Sequence, residues 1–505
     1  MKHRISGILL VILSVLVLLG LPFGMLWREA QQQQRDYALL TSIRNKEPWN
    51  VAILLKQGSN PNIHDNFAGQ PTFWEFLRAR FEQLRGHKPP IPSDGPPALL
   101  LAVQSDNIDS VKLLLAKGAR EVDARMENGE ALLIMAAKQH NFAIVRELIE
   151  HNADVRAEAP DSDCSLLTYV AASGQIDLAQ MILARGADVN SRVLEGTTPL
   201  FAAAEADDLP MVKLLLANGA NVNIKNDWDF EHSAALSMAA DKGNLKMVQL
   251  LLDHGANVNS AARFGSALTH AALNKNIAIV RLLLAHRADP NIGDYHETLP
   301  MLVASEGDTK IMKLLLDAGA DIHATGHAGA TALSSAAFSG NVEMVRLVVS
   351  HGADVNNNDD WRGRTAIMAA AEYGHYAAVD YLLRHGAKIN VRSHDEDEKP
   401  GDTALTLAAR EGHLDVLKLL LARGARRDLP GPDGKTVLMC ACEGSNHVDD
   451  NGKSAPANPK VVAYLIQRGE KVNARTPMGE TALSLAEAKG FTDVARILKQ
   501  AGAKE

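Results

Sequence analysis

Aliphatic residues recur along most of the chain at positions i, i+3 and i+4 of short segments, as in Met211–Asn218 (MVKLLLAN) and Ile279–His286 (IVRLLLAH). That spacing lines one face of a helix. The glycine that usually follows fits a left-handed C-terminal cap. Upstream lies a second helical stretch carrying an Ala-Ala pair: Ala202-Ala203, Ala239-Ala240, Ala271-Ala272, Ala336-Ala337 and Ala408-Ala409. Small side chains there let two helices approach closely. Gly-x-Thr precedes this stretch at Gly196–Thr198, Gly363–Thr365, Gly401–Thr403 and Gly479–Thr481. Its threonine predicts an N-cap.

The N-terminus follows another pattern. Ile5 to Leu26 runs 22 residues without a charge and is apolar on every face. At ~1.5 Å per residue it spans ~33 Å as a helix, enough for a ~30 Å hydrocarbon core. Lys2, His3 and Arg4 precede it; Trp27 and Arg28 follow, as an interfacial anchor would. A cleaved signal peptide needs a small-x-small cleavage site, and Arg28-Glu29-Ala30 puts Arg where a small residue belongs. An uncleaved transmembrane signal-anchor within residues 1–28 is therefore expected, then a polar spacer over 29–35 around Gln31–Gln34. The basic tail favours N-in, with the body outside the cytoplasm and periplasmic in a bacterium. Arg28, Arg35, Arg44 and Lys46 beyond the run argue the other way, but a long downstream domain is translocated despite such charges.

The helical pattern is a repeat. GADVN occurs at Gly186–Asn190 and Gly352–Asn356, GANVN at Gly219–Asn223 and Gly255–Asn259, GADIH at Gly319–His323 and GAKIN at Gly386–Asn390. Weaker copies start at Gly58, Gly118, Asn152, Arg287, Gly424 and Gly469. From Gly118 to Gly386 the starts lie 32 to 36 residues apart, and the last two gaps stretch to 38 and 45. This layout resembles the ankyrin repeat, G-x-T-P-L-H-x-A-A, a second helix, then G-A-x-x-N. Thr198-Pro199-Leu200-Phe201 matches all but the final His of its tetrad. The resemblance covers residues 36–505. It implies an all-α solenoid of about twelve repeats after an incomplete one at 36–62, with short β-hairpin fingers and a C-terminal cap at 475–505. Such repeats bury their faces only against their neighbours, giving a curved body on the order of 100 Å long with a concave binding surface.

Two stretches break the register. In 63–97, Thr72-x-x-Glu75 is a capping box. Phe73, Phe76, Leu77, Phe81 and Leu84 form an apolar stripe at helical spacing, and Lys88–Pro97 (KPPIPSDGPP) is a stiff link. This predicts an extra helix that plugs the first repeats or docks a partner. Residues 444–459, within Gly444–Pro459 (GSNHVDDNGKSAPANP), read as a polar loop between the two helices of one repeat.

Composition narrows the chemistry. The net charge of −8 gives no nucleic-acid footprint, and 3 Cys cannot build a disulfide scaffold. Phosphate-binding loops, His-Glu-x-x-His, Cys-x-x-Cys and a strand-linked Gly-rich loop are absent. Cys440 and Cys442, at i and i+2 on one helix, do not face each other, and Cys164 is expected as a lone thiol. His375 and His413, in Gly-His turns, and His254, His351 and His385, before the terminal Gly, read as structural or solvent-facing. His394–Glu398 reads as a solvated acidic finger. No catalytic residue, cofactor, metal or small-molecule substrate is expected.

The resemblance implies protein binding through finger tips and first helices. Four of five consecutive middle fingers carry aromatics, Trp228 with Phe230, Phe264, Tyr295 and Trp361, in a chain only 5% aromatic. Asp227, Asp229, Arg263, Asp360 and Arg362 would form a polar rim around them, as at interface hot spots; alternatively the rings fold onto neighbouring fingers. The function expected is a membrane-anchored scaffold for a protein partner. The alternatives are a protein that binds and blocks one enzyme and, more remotely, an enzyme accessory subunit. Analogy with anchored bacterial ankyrin proteins suggests a chaperone-like or stress-protective role.

Overall fold

A computed structural model of the chain describes residues 23–66, 70, 72–84, 95–157, 165–192, 197–225, 234–326, 329–357, 363–394, 400–445 and 455–504. The described residues form 27 α-helices, which fall into two compact units dividing between positions 229 and 230.

The first unit opens with a long helix, Phe23–Arg44, packed on Pro48–Lys56. Four helix pairs follow, from Ala98–Gln104 with Ile108–Ala116 to Pro199–Glu205 with Leu209–Ala217. The second unit holds eight pairs, from Ala235–Asp241 with Leu245–Asp253 to Ala482–Ala488 with Thr492–Gln500. First helices are short and alanine-rich; Ala336-Ala337 and Ala408-Ala409 are fully buried, so neighbouring first helices pack side by side. Second helices bury one aliphatic face, such as Ile279, Val280 and Leu283. Each such side chain contributes roughly 1.5–3 kcal/mol.

The caps follow the sequence signals. Thr198, Thr403 and Thr481 each accept a hydrogen bond from the backbone N–H three residues on, at 3.1 Å. Thr365 holds the same position without that bond. Gly219, Gly319 and Gly386 sit after their second helices at φ near +90°, where a Cβ is strained. Asn152 (φ 66°) and Arg287 (φ 64°) occupy that conformation without being glycine.

The terminal Asn of the repeat signature joins one repeat to the next. Asn356 Nδ2 donates to the Gly386 carbonyl at 3.1 Å, and its Oδ1 accepts from Lys388 N–H at 2.7 Å. Asn190, Asn259 and Asn473 make the same pair of bonds forward, to Gly219 and Asn221, to Arg287 and Asp289, and to Gly502 and Lys504. Asn62 reaches across the first insertion to Gly118 and Arg120, so the insertion leaves the register intact. Its ends are closed by Asp65 N–H donating to the Pro96 carbonyl at 3.0 Å and Ala98 N–H to the Ile63 carbonyl at 2.8 Å. The second insertion closes likewise, with Ser445 N–H donating to the Ala455 carbonyl at 3.0 Å.

Three expectations change. The stretch 29–35, expected as a spacer, is helical; Gln32 donates to the Asp36 carboxylate and to the Gly58 carbonyl, both at 2.9 Å. The Phe73–Leu84 helix, expected on the first repeats or against a partner, packs through Phe73, Phe76 and Leu77 against Leu26, at the start of the Phe23–Arg44 helix and ahead of residue 36. The fingers are mostly turns: among the described residues the one two-stranded hairpin is Ala261–Ala262 with Gly265–Ser266, beside isolated bridges such as Arg125 to Ala131. Most of the apolar run Ile5–Leu26 lies outside the described residues, among which no helix is long and apolar enough to cross a membrane.

Candidate partner-binding surface

The hairpin in the second unit presents Arg263 and Phe264 as its two-residue turn. Gly265, at φ 109°, completes it; a Cβ there would meet the Thr269 side chain at 2.6 Å. Ser266 caps the following helix and shares a capping box with Thr269. Thr269 Oγ1 in turn donates to the Ile292 carbonyl at 2.7 Å, tying this repeat to the next finger.

That next finger is folded by local hydrogen bonds. The Asp294 carboxylate accepts from His296 N–H at 2.8 Å and Glu297 N–H at 2.7 Å, folding a tight turn. Burial, reinforced by the Asp294 charge, pushes the Glu297 carboxyl above its ordinary range. Tyr295 N–H donates to the Arg263 carbonyl at 2.9 Å, so the two tips are joined through the main chain. The Arg263 guanidinium lies 5.8 Å from the Tyr295 ring centre, and the His296 ring meets Tyr295 edge-on at 5.0 Å. Phe264 stays 48% exposed and Tyr295 65%.

The structure thus brings Arg263, Phe264 and Tyr295 together. Neither ring is buried: Phe264 stands in the hairpin turn, and Tyr295 is tied to that turn by its own N–H. Asp227, Trp228, Asp229, Phe230, Asp360, Trp361 and Arg362 lie outside the described residues, as do Cys164 and residues 395–398 of the acidic finger.

A second aromatic group escaped the sequence reading. Phe338 and Tyr373 pack edge-to-face at 4.4 Å where the first helices of adjacent repeats end, and the His375 ring stacks beside Tyr373 at 6.3 Å. Phe338 and Tyr376 are half-exposed. His375 and His413 reach back to the Phe338 and Glu372 carbonyls at 2.9 and 2.8 Å. The signal was present: Phe338 and Tyr373 sit one period apart, each at the end of an alanine-rich first helix.

Buried charge is concentrated around Arg410. Its guanidinium grips Asp402 in a fork at 2.7 and 3.0 Å and bonds Glu443 at 3.3 Å. Lys435 bonds the other Glu443 oxygen at 2.6 Å. Cys440 and Cys442 are free and buried. Burial pushes the Cys440 thiol up to about 12, and raises that of Cys442 as well, so neither is a ready nucleophile. This network locks two repeats together. Among the described residues, no group of three or more His, Cys, Asp or Glu is placed to hold a metal ion.

Comparison with known proteins agrees with the geometry. A family model described as "Ankyrin repeats (3 copies)" matches residues 77–159, 99–193, 167–262, 200–294, 238–326 and 300–393. A second, "Ankyrin repeats (many copies)", matches 367–421. Together they run from 77 to 421, more than half of the chain. The chain belongs to the ankyrin-repeat family. Ankyrin repeats imply a protein-interaction scaffold. Among curated ankyrin-bearing relatives, the mouse B-cell lymphoma 3 protein homolog is 30% identical over 35% of this chain and 42% of its own length. The bovine mitochondrial disaggregase is 33% identical over 27% of this chain and 20% of its own. A putative ankyrin repeat-containing protein of Treponema pallidum is 36% identical over 24% of this chain and 41% of its own. The chain therefore spans less than half of each of these relatives.

Proposed function

We propose that this ankyrin protein is a membrane-anchored scaffold that binds a partner protein through its finger tips and first-helix surface, without bond chemistry. The observation that carries this reading is the paired tip at Arg263, Phe264 and Tyr295. Two exposed aromatic rings stand on tips joined by a main-chain bond, beside a guanidinium, which reduces what must be ordered on binding. Trp228 with Phe230, and Trp361, would extend this surface, with Asp227, Asp229, Asp360 and Arg362 as its rim. The charge-free run Ile5–Leu26 supports the anchor. Anchoring raises the local concentration of whatever the scaffold holds near the membrane.

The test compares affinity capture by the intact chain and by a Phe264→Ala/Tyr295→Ala variant from detergent extracts, read by quantitative mass spectrometry. Each aromatic hot spot is worth ~2 kcal/mol or more, so the bound partner should fall at least tenfold while circular dichroism stays unchanged. Undiminished capture by the variant would refute the paired tip as the binding site.

A further inference from the structure

The Phe73–Leu84 helix is placed where the charge-free N-terminal run ends. Leu26, the last residue of that run, is 2% exposed because Phe73, Phe76 and Leu77 of the inserted helix close over it. Trp27 meets Phe73 edge-on at 4.8 Å, and Phe73 meets Trp74 at 5.8 Å. Around this small core, Met25, Trp27 and Trp74 remain 60%, 45% and 47% exposed. Arg28 and Arg78 are exposed beside them. Trp74 and Arg78 lie four residues apart, on one stripe of the helix. Of the neighbouring acids, Glu75 is occupied at the helix start, accepting from Thr72 N–H at 2.9 Å and Thr72 Oγ1 at 2.8 Å, while Glu29 is exposed.

We infer that the Phe73–Leu84 helix lies on the membrane interface, with Met25, Trp27 and Trp74 at headgroup depth. The anchor then becomes a fixed seat for the first repeats. This rests on the proposed anchoring by Ile5–Leu26. Three observations favour lipid as the occupant. The chain leading to this patch is long and apolar enough to enter a bilayer at Leu26. Tryptophan beside arginine suits a boundary where apolar ring bodies meet phosphate. The patch is also too small for a second copy: at no more than ~250 Å² per aromatic side chain, three half-exposed residues fall short of the ~800 Å² per partner of a standard interface.

The experiment uses the full chain in vesicles of phosphatidylcholine and phosphatidylglycerol, with or without lipids brominated near the headgroup end of the acyl chain. A Trp27→Phe/Trp49→Phe/Trp228→Phe/Trp361→Phe variant keeps Trp74 alone; matching variants keep only Trp27 or only Trp49. Bromine quenches neighbouring indoles, so Trp74, held at headgroup depth, should lose much of its emission, and Trp49 little. Quenching of Trp27 with Trp74 no more affected than Trp49 would keep the anchor and overturn the seat. If neither is quenched and the protein does not float with vesicles, the anchoring reading itself fails. Cross-linking of two copies through this patch, with no quenching, would overturn the seat in favour of self-association. A single Trp74→Ala variant, with helicity checked, guards against misfolding of the multiple variants: the seat predicts a smaller quenched fraction than in the parent, and an unchanged fraction refutes it.

Discussion

Arg287 stands where most repeats place glycine, and its backbone keeps the left-handed conformation, φ 64°. A Cβ in that region costs ~1 kcal/mol, partly offset by the extra unfolded-state freedom that glycine brings. Arg287→Gly should stabilise the protein by roughly 0.5–1 kcal/mol, read as a higher urea midpoint. Asn152→Gly should gain less, because asparagine tolerates this conformation. His270 supplies a pH effect. Burial lowers its pKa below the ordinary value, against the opposing pull of Asp241 at 3.6 Å. Above pH ~6.5 the ring is neutral folded or unfolded. As pH falls through that value the unfolded chain binds the proton first, so stability is lost towards the lower folded pKa and regained as pH rises. His270→Gln should flatten that part of the stability–pH curve, measured by urea unfolding on either side of pH ~6.5.

At the scale of elements, helix positions were legible because aliphatic spacing, Gly-x-Thr and the terminal Gly each have a local physical cause. The role of the terminal Asn was not, since its partners lie about thirty residues on. Its sequence signal was repetition, with no chemistry attached until the Asn356 bonds to Gly386 and Lys388 appear. Removing a side chain that satisfies two backbone groups costs ~1–3 kcal/mol. Asn356→Ala should therefore speed native-state exchange of the Lys388 amide by roughly 10–100-fold, with little change in distant repeats. The helix over 29–35 was missed for a related reason. Glutamine is a good helix former, but what makes this run an element is tertiary: Gln32 bonds Gly58, and Leu39, Leu40 and Ile43 are buried further along the same helix. The inserted Phe73–Leu84 helix was visible as a helix from its stripe and capping box. Its partner, Leu26, was not, because Leu26 closes an apolar run whose own length suits a bilayer.

For the molecule as a whole, binding follows from the repeat, and the finger tips could be nominated from sequence because aromatics are scarce in this chain. Which tips share a surface could not: Arg263 and Tyr295 meet through a main-chain bond that no spacing announces. Topology is the prediction proper to this scale. If the proposed anchor runs N-in and places the repeats outside the cytoplasm, protease added to spheroplasts should digest them as it digests an extracytoplasmic marker. Digestion only after lysis would reverse the orientation. The forward Asn bonds also decide how repeats can be exchanged. Every acceptor and donor they use in the following repeat belongs to the main chain, so the joint is indifferent to which side chains come next. Excising residues 320–352, one full period, would offer Asn291 the Asp354 N–H in place of the Asp321 N–H it now holds at 2.7 Å. At this joint repeats are interchangeable: one can be dropped, doubled or exchanged and the Asn side chain still finds main-chain partners, so what must be matched anew is confined to side-chain couplings such as Arg410 with Glu443.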